Sequence, residues 1–192
     1  MGIALAMSLP RPAMAATAAT AATGLPDFGA VVRDHTDLVY GVALRILGDR
    51  EAAAEVTNTT FLKAYRAFTR YDPARSLRAW LVAIAANEAV SAGRALTRER
   101  ARRAPVEEAD AVADRAPAPE EELVAREERG RVRRAVAALP ELYRVPIVLR
   151  YFSDLSVEEV AAAVGRPPAT VGVQLLRGRA LLRGSLAREG RP

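Results

Sequence analysis

Between Leu155 and Val171 the chain reads as two short helices around a tight turn, and the second helix runs on into Arg177, Arg179 and Arg183. Guanidinium groups spaced along one helix suit bidentate contact with phosphate oxygens. Arg166 adds a cation in the turn. Thr170 and Gln174 fall in the first turns of that helix, where a hydroxyl can contact base or phosphate and a carboxamide can pair with an adenine edge. These residue types offer recognition of nucleic acid rather than bond making.

The elements that must hold them are written just upstream. Ser156 followed three residues later by Glu159 is a capping box, so a helix starts there. Val157, Val160, Ala161 and Val164 form one apolar stripe, and Gly165 supplies a left-handed stop. Pro167 or Pro168 opens the next helix. In it Val171, Leu175, Gly178 and Leu182 face inward and the arginines face out. This is the grammar of a helix-turn-helix, whose second helix enters the DNA major groove.

The rest of the composition excludes several function classes. The 192 residues contain no cysteine and a single histidine, His35, which removes disulfides, thiolate zinc sites, a Cys nucleophile and a His-based triad. His35 lies on the Phe28, Val31, Val32, Leu38, Val39, Val42 stripe and reads as a half-buried structural residue. No glycine-rich phosphate loop is present. No catalytic residue, metal site, cofactor or small-molecule substrate is expected, and no apolar run is long enough for membrane insertion. The absence of cysteine suits a reducing, cytoplasmic setting.

The formal charge of +5 is unevenly distributed. Residues 104–122 carry Glu107, Glu108, Asp110, Asp114, Glu120, Glu121 and Glu122 against Arg115 alone, so two basic modules flank an acidic connector rich in Pro and Ala. Nearly all the positive charge is arginine, which suits phosphate and is also what a GC-rich genome encodes. Residues 1–26 are Ala- and Thr-rich and cannot build a core, so they are expected to form a disordered extension. Ala13-Met14-Ala15 has the small-x-small look of a signal cleavage site, but no basic segment precedes it. Met7 and Met14 are alternative initiators.

From Asp27 the pattern is helical. One helix spans about Phe28 to Leu47, closed by Gly48, and Asp49 caps a second through Phe68. A third starts near Ser76, carries Leu77, Trp80, Leu81 and Ile84, and ends in an arginine-rich stretch. These make a first module over 27–103, with Trp80 its largest core side chain. The connector spans 104–122, a second helical module 123–187, and a tail 188–192. Pro146 falls inside the helix after Pro140 and is expected to kink it or shift its start. The fold class is all-α, with two small helical domains on a flexible acidic linker.

Three stretches resemble the second region of sigma-70-type factors of the extracytoplasmic-function group: Tyr40 to Ala52, Phe61 to Phe68, and Leu77 to Asn87. Leu139 to Tyr151 and the helix-turn-helix after it look like the fourth region of the same factors. The order of the two is that of the family. The resemblance implies an alternative sigma factor that binds RNA polymerase core and directs initiation at promoter DNA. It places core binding on Glu55, Asn58, Thr59, Phe61 and Lys63, and opening of the minus-10 element on Asn87, Arg94, Arg98 and Arg100. The minus-35 element falls to Arg166, Thr170, Gln174, Arg177, Arg179 and Arg183. An anti-sigma factor is a further implied partner.

Departures from the family pattern are concentrated at contact positions. Glu55, Asn58 and Thr59 stand where an Asp, a Gln and an acid are usual, and Ala86 replaces an Arg before Asn87. The recognition helix usually reads Thr-Val-Lys-Ser-Arg, and here it is Thr170-Val171-Gly172-Val173-Gln174. Two cations are lost, and Val173 and Leu176 add apolar surface on or beside the DNA face. The alternative is a degenerate sigma-like mimic that occupies an anti-sigma factor or polymerase without efficient initiation. An unrelated dimeric repressor would also carry a helix-turn-helix, but the long N-terminal helical module argues against it.

Overall fold

A computed structural model of the chain describes residues 26–102 and 120–189. Every regular element among them is helical: α1 Phe28–Leu47, α2 Arg50–Ala67, α3 Leu77–Arg102, α4 Glu120–Ala137, α5 Glu141–Phe152, α6 Val157–Val164 and α7 Pro168–Glu189, with a 3-10 turn at Phe68–Arg70. The expected N-terminal extension and most of the acidic connector lie outside the described residues. Glu120, Glu121 and Glu122, assigned from sequence to the connector, belong to α4.

By contact density the chain divides into two compact units, one ending at Asp34 and one from His35 onward. In the first, the Asp27 carboxylate accepts from the backbone N–H groups of Gly29 and Ala30, which satisfies the orphan donors that open α1.

In the second unit the helix boundaries follow from local chemistry. Gly48 takes a positive φ of 72° to end α1, and the Asp49 carboxylate accepts from Ala52 N–H to begin α2. Ser76 Oγ accepts from Ala79 N–H at the start of α3. The buried stripe of α2, from Ala53 through Val56, Thr60 and Phe61 to Ala64, meets α3. The buried positions of α3 are mostly small, Leu81, Val82, Ala85, Ala86 and Ala89, so neighbouring helices can approach closely. Trp80 is only half-buried. It joins Tyr71, with ring centroids 5.0 Å apart, and Phe68, at 6.3 Å, in an aromatic cluster at the edge of the core.

Downstream, α7 packs on α4, α5 and α6 around Val136, Leu139, Ile147, Leu149, Leu155, Val160 and Val171. The helix α5 remains continuous through Pro146, which is buried in it. The missing N–H leaves the Leu142 carbonyl without its helical donor, and Leu142 lies at the exposed surface where water can supply one. The turn from α5 to α6 is tied down by Arg150 Nη1 donating to the Leu155 carbonyl at 2.8 Å. Asp154 there adopts φ 55°, a left-handed conformation that Asp tolerates better than most residues.

The same unit joins the two helical groups. Helix α3 packs against α6 and α5. Arg144 Nη1 donates to the Ile46 carbonyl at 2.7 Å, and Arg78 Nε donates to the Ser153 carbonyl at 3.1 Å. The Arg45 guanidinium lies 4.6 Å from the centroid of the Phe152 ring. Burial lowers the pKa of both Arg45 and Arg144, and the Glu141 carboxylate partly opposes the shift at Arg144.

Candidate nucleic-acid interface

The helix-turn-helix is assembled as its sequence requires. Ser156 Oγ accepts from Glu159 N–H at 3.1 Å while the Glu159 carboxylate accepts from Ser156 N–H at 2.7 Å, so the capping box is complete. Gly165 ends α6 at φ 63°, and Arg166 N–H donates back to the Ala161 carbonyl. Pro168 is the first residue of α7, whose first turn lacks N–H partners in any case.

The position of Gln174 corrects the sequence expectation. It is 5% exposed and its Oε1 has no hydrogen-bond partner, so the side chain points into the module and not toward a base edge. Helical geometry gives the reason: Val171, Gln174, Leu175 and Gly178 are spaced by three, one and three residues, which places them on a single face. The polar residue type points to the surface, but its register is that of the core. Arg166, Arg177, Arg179 and Arg183 are all exposed, and none forms an ion pair among the described residues. Thr170 is half-buried at the helix start. The outer face also displays Val173 and Leu176.

On the first helical group, Asn87, Arg94, Arg98 and Arg100 are exposed along the second half of α3. Two of them are engaged: Arg94 Nη2 lies 2.9 Å from Glu141 Oε1, and Arg100 Nη2 lies 3.8 Å from Asp49 Oδ2. An open cleft of about 580 Å³ sits beside them, with Arg144 and Ile46 in its wall. The arginines are therefore brought to one surface, while Asn87 stands about two to three and a half turns nearer the N-terminus of the helix.

The residues read as polymerase contacts separate into two groups. Glu55, Asn58 and Lys63 are exposed on α2 and Thr59 is half-buried. Lys63 is ion-paired with Glu88 of α3. Phe61 is buried on the stripe that contacts α3 and not at the surface that the sequence expectation gives it: four residues after buried Thr57 and three before buried Ala64, it falls on the inner face. Leu62 and Tyr65, outside the contact residues expected from sequence, are 50% and 57% exposed on the same helix. The signal was present, since both lie one position off the inner stripe.

A basic helix-turn-helix with a free outer face, preceded by a helical bundle with a second arginine-lined surface, is the architecture of a DNA-binding protein. Residues 31–99 match the Sigma-70 region 2 family and residues 129–182 match the Sigma-70, region 4 family. The ECF RNA polymerase sigma factor SigE of Mycolicibacterium smegmatis is 32% identical over 176 residues, spanning 90% of this chain and 68% of that one. SigW of Bacillus subtilis, another ECF RNA polymerase sigma factor, is 29% identical over 166 residues, 83% of this chain and 88% of the relative. Among solved structures, the sigma factor RpoE in complex with the anti-sigma factor NepR from Bartonella quintana shares the fold, with a TM-score of 0.67, 22% identity, and coverage of 86% of this chain and 99% of that one. CnrH, solved with the cytosolic domain of CnrY, gives a TM-score of 0.63 at 28% identity, over 90% of this chain and 96% of the other. The chain belongs to the sigma-70 family of RNA polymerase sigma factors, within the extracytoplasmic-function group.

Proposed function

We propose that this chain is an alternative sigma factor that binds RNA polymerase core in the cytoplasm and directs it to promoters carrying two spaced elements. The observation that carries the reading is the exposed cationic surface of a correctly capped helix-turn-helix, with Arg166 in its turn and Arg177, Arg179 and Arg183 on α7. Their roles are positional: guanidinium contacts to phosphates fix the helix in the groove at the minus-35 element. Asn87, Arg94, Arg98 and Arg100 on α3 serve the minus-10 element, with stacking and edge hydrogen bonds holding an unpaired base.

Core polymerase is bound by the exposed face of α2. Glu55, Asn58 and Lys63 supply polar contacts, and Leu62 and Tyr65 supply apolar area of the kind that anchors protein interfaces. An anti-sigma factor is a further partner, by analogy with the sigma factor RpoE from Bartonella quintana, which was solved in complex with the anti-sigma factor NepR. A sigma-like mimic without efficient initiation is the second reading, and the apolar residues on α7 favour it. Co-elution of the purified full chain with core polymerase tests the first. A Leu62→Asp variant is expected to lose co-elution while keeping its thermal transition, and undiminished co-elution would remove α2 from the interface.

A further inference from the structure

The geometry points to a specificity-determining role for Val173: we infer that it reads the 5-methyl group of a thymine in the minus-35 element, with Leu176 beside it. This rests on the reading of α7 as the minus-35 helix. At about 100° per residue, Val171 defines the inner edge of α7, and Ala169, Val173, Leu176 and Ala180 fall near the opposite side. All four are exposed, Val173 at 48% and Leu176 at 60%. Helix α7 contacts α4, α5 and α6 only, among the described residues, so no part of the fold covers this ridge.

The ridge has cations on both sides. Arg177 lies on one flank and Arg179 and Arg183 on the other, which matches a groove with phosphate walls on either side of the base edges. Within a major groove the one apolar feature of a base edge is the thymine methyl. An exposed valine on the first turns of the recognition helix has that group as its chemical complement. Gly172 supports the close approach: a Cβ there would meet nothing within 4 Å, so packing does not require glycine. It weakens the helix nonetheless, and its effect is to let the backbone come nearer to whatever lies outside.

The test uses full-length protein assembled with core polymerase on a promoter fragment whose upstream element is defined by selection. Each thymine of that element is replaced in turn by deoxyuridine, which removes the methyl alone. Burial of one methyl corresponds to roughly a fourfold change in an equilibrium constant, so wild-type binding is expected to fall about three- to fivefold at one or two positions. In Val173→Ala the thymine-to-uracil ratio at those positions moves to about one. Two results overturn the inference while leaving the minus-35 reading intact: no uracil sensitivity anywhere, or a ratio unchanged in Val173→Ala, with Arg177→Ala weakening binding in either case. Indifference to both uracil and Arg177→Ala overturns the minus-35 reading as well. Unchanged promoter ratios in Val173→Ala together with weakened binding of a purified anti-sigma protein would assign the ridge to a protein partner and overturn the inference.

Discussion

A methyl group at Gly178 of α7 would stand 2.8 Å from Cγ1 of Ile147, a fully buried residue of α5. The recognition helix is therefore seated on α5 through backbone, and its depth in the module is set by the absence of a side chain at this one position. Gly172, six residues earlier on the same helix, faces open space. The two glycines have opposite physical meanings.

Gly178→Ala gains helix propensity of about 1 kcal/mol and loses more to overpacking, which costs roughly 1 to 3 kcal/mol in a close-packed core. Net destabilisation is expected. Gly172→Ala keeps the propensity gain and is expected to raise stability by up to about 1 kcal/mol. Urea denaturation of the two variants checks the pair, and equal shifts would show that Gly178 is not a packing device.

Gln174→Met is expected to preserve promoter selectivity. The side chain is buried with an unpaired Oε1, and an unsatisfied buried polar atom costs roughly 1 to 3 kcal/mol, so the variant should be as stable as the wild type or more so. Selection from a randomised minus-35 library measures this, and a changed preference at one base position would return Gln174 to the reading face.

Arg144→Ala removes a charged donor from the Ile46 carbonyl at the C-terminal end of α1, where a cation is also favoured by the helix dipole. A part-buried hydrogen bond from a charged group contributes roughly 1.5 to 3 kcal/mol. The expected outcome is a thermal transition several degrees lower, with faster proteolysis between the helical groups. Glu141→Gln removes the exposed pair with Arg94 and the carboxylate charge near Arg144 but leaves the Arg144 hydrogen bond in place, and should change stability by less than about 1 kcal/mol. Comparable losses in the two variants would contradict this ranking.

Ser156→Ala breaks one half of a complete capping box and should cost about 1 kcal/mol. Because the lost bond lies at the start of α6, circular dichroism during thermal unfolding reads it directly. No change would mean that packing of α6 against α3 fixes the helix start without the cap.

The helix starts and stops were legible in the sequence wherever a side chain or a glycine determines them. Asp49, Ser76, Ser156, Gly48, Gly165 and Pro168 all stand where their chemistry places them. Facing was less legible. Residue type points Gln174 to a base edge and Phe61 to a protein contact, whereas helical spacing puts both on inner stripes. The size of Trp80 points to the core, yet it is half-buried at the edge of an aromatic cluster. Contacts such as Arg144 to Ile46, 98 residues apart, depend on how the helical groups meet, and local pattern carries no information about that.

Run-off transcription with purified core polymerase and a genomic promoter library, with and without the full chain, followed by sequencing of the transcript starts, measures whether the chain initiates transcription. New starts that share two spaced upstream elements, and that disappear with Arg177→Ala, are the predicted result. Absence of new starts while the chain still binds core polymerase would contradict initiation by this protein and leave the mimic as its function.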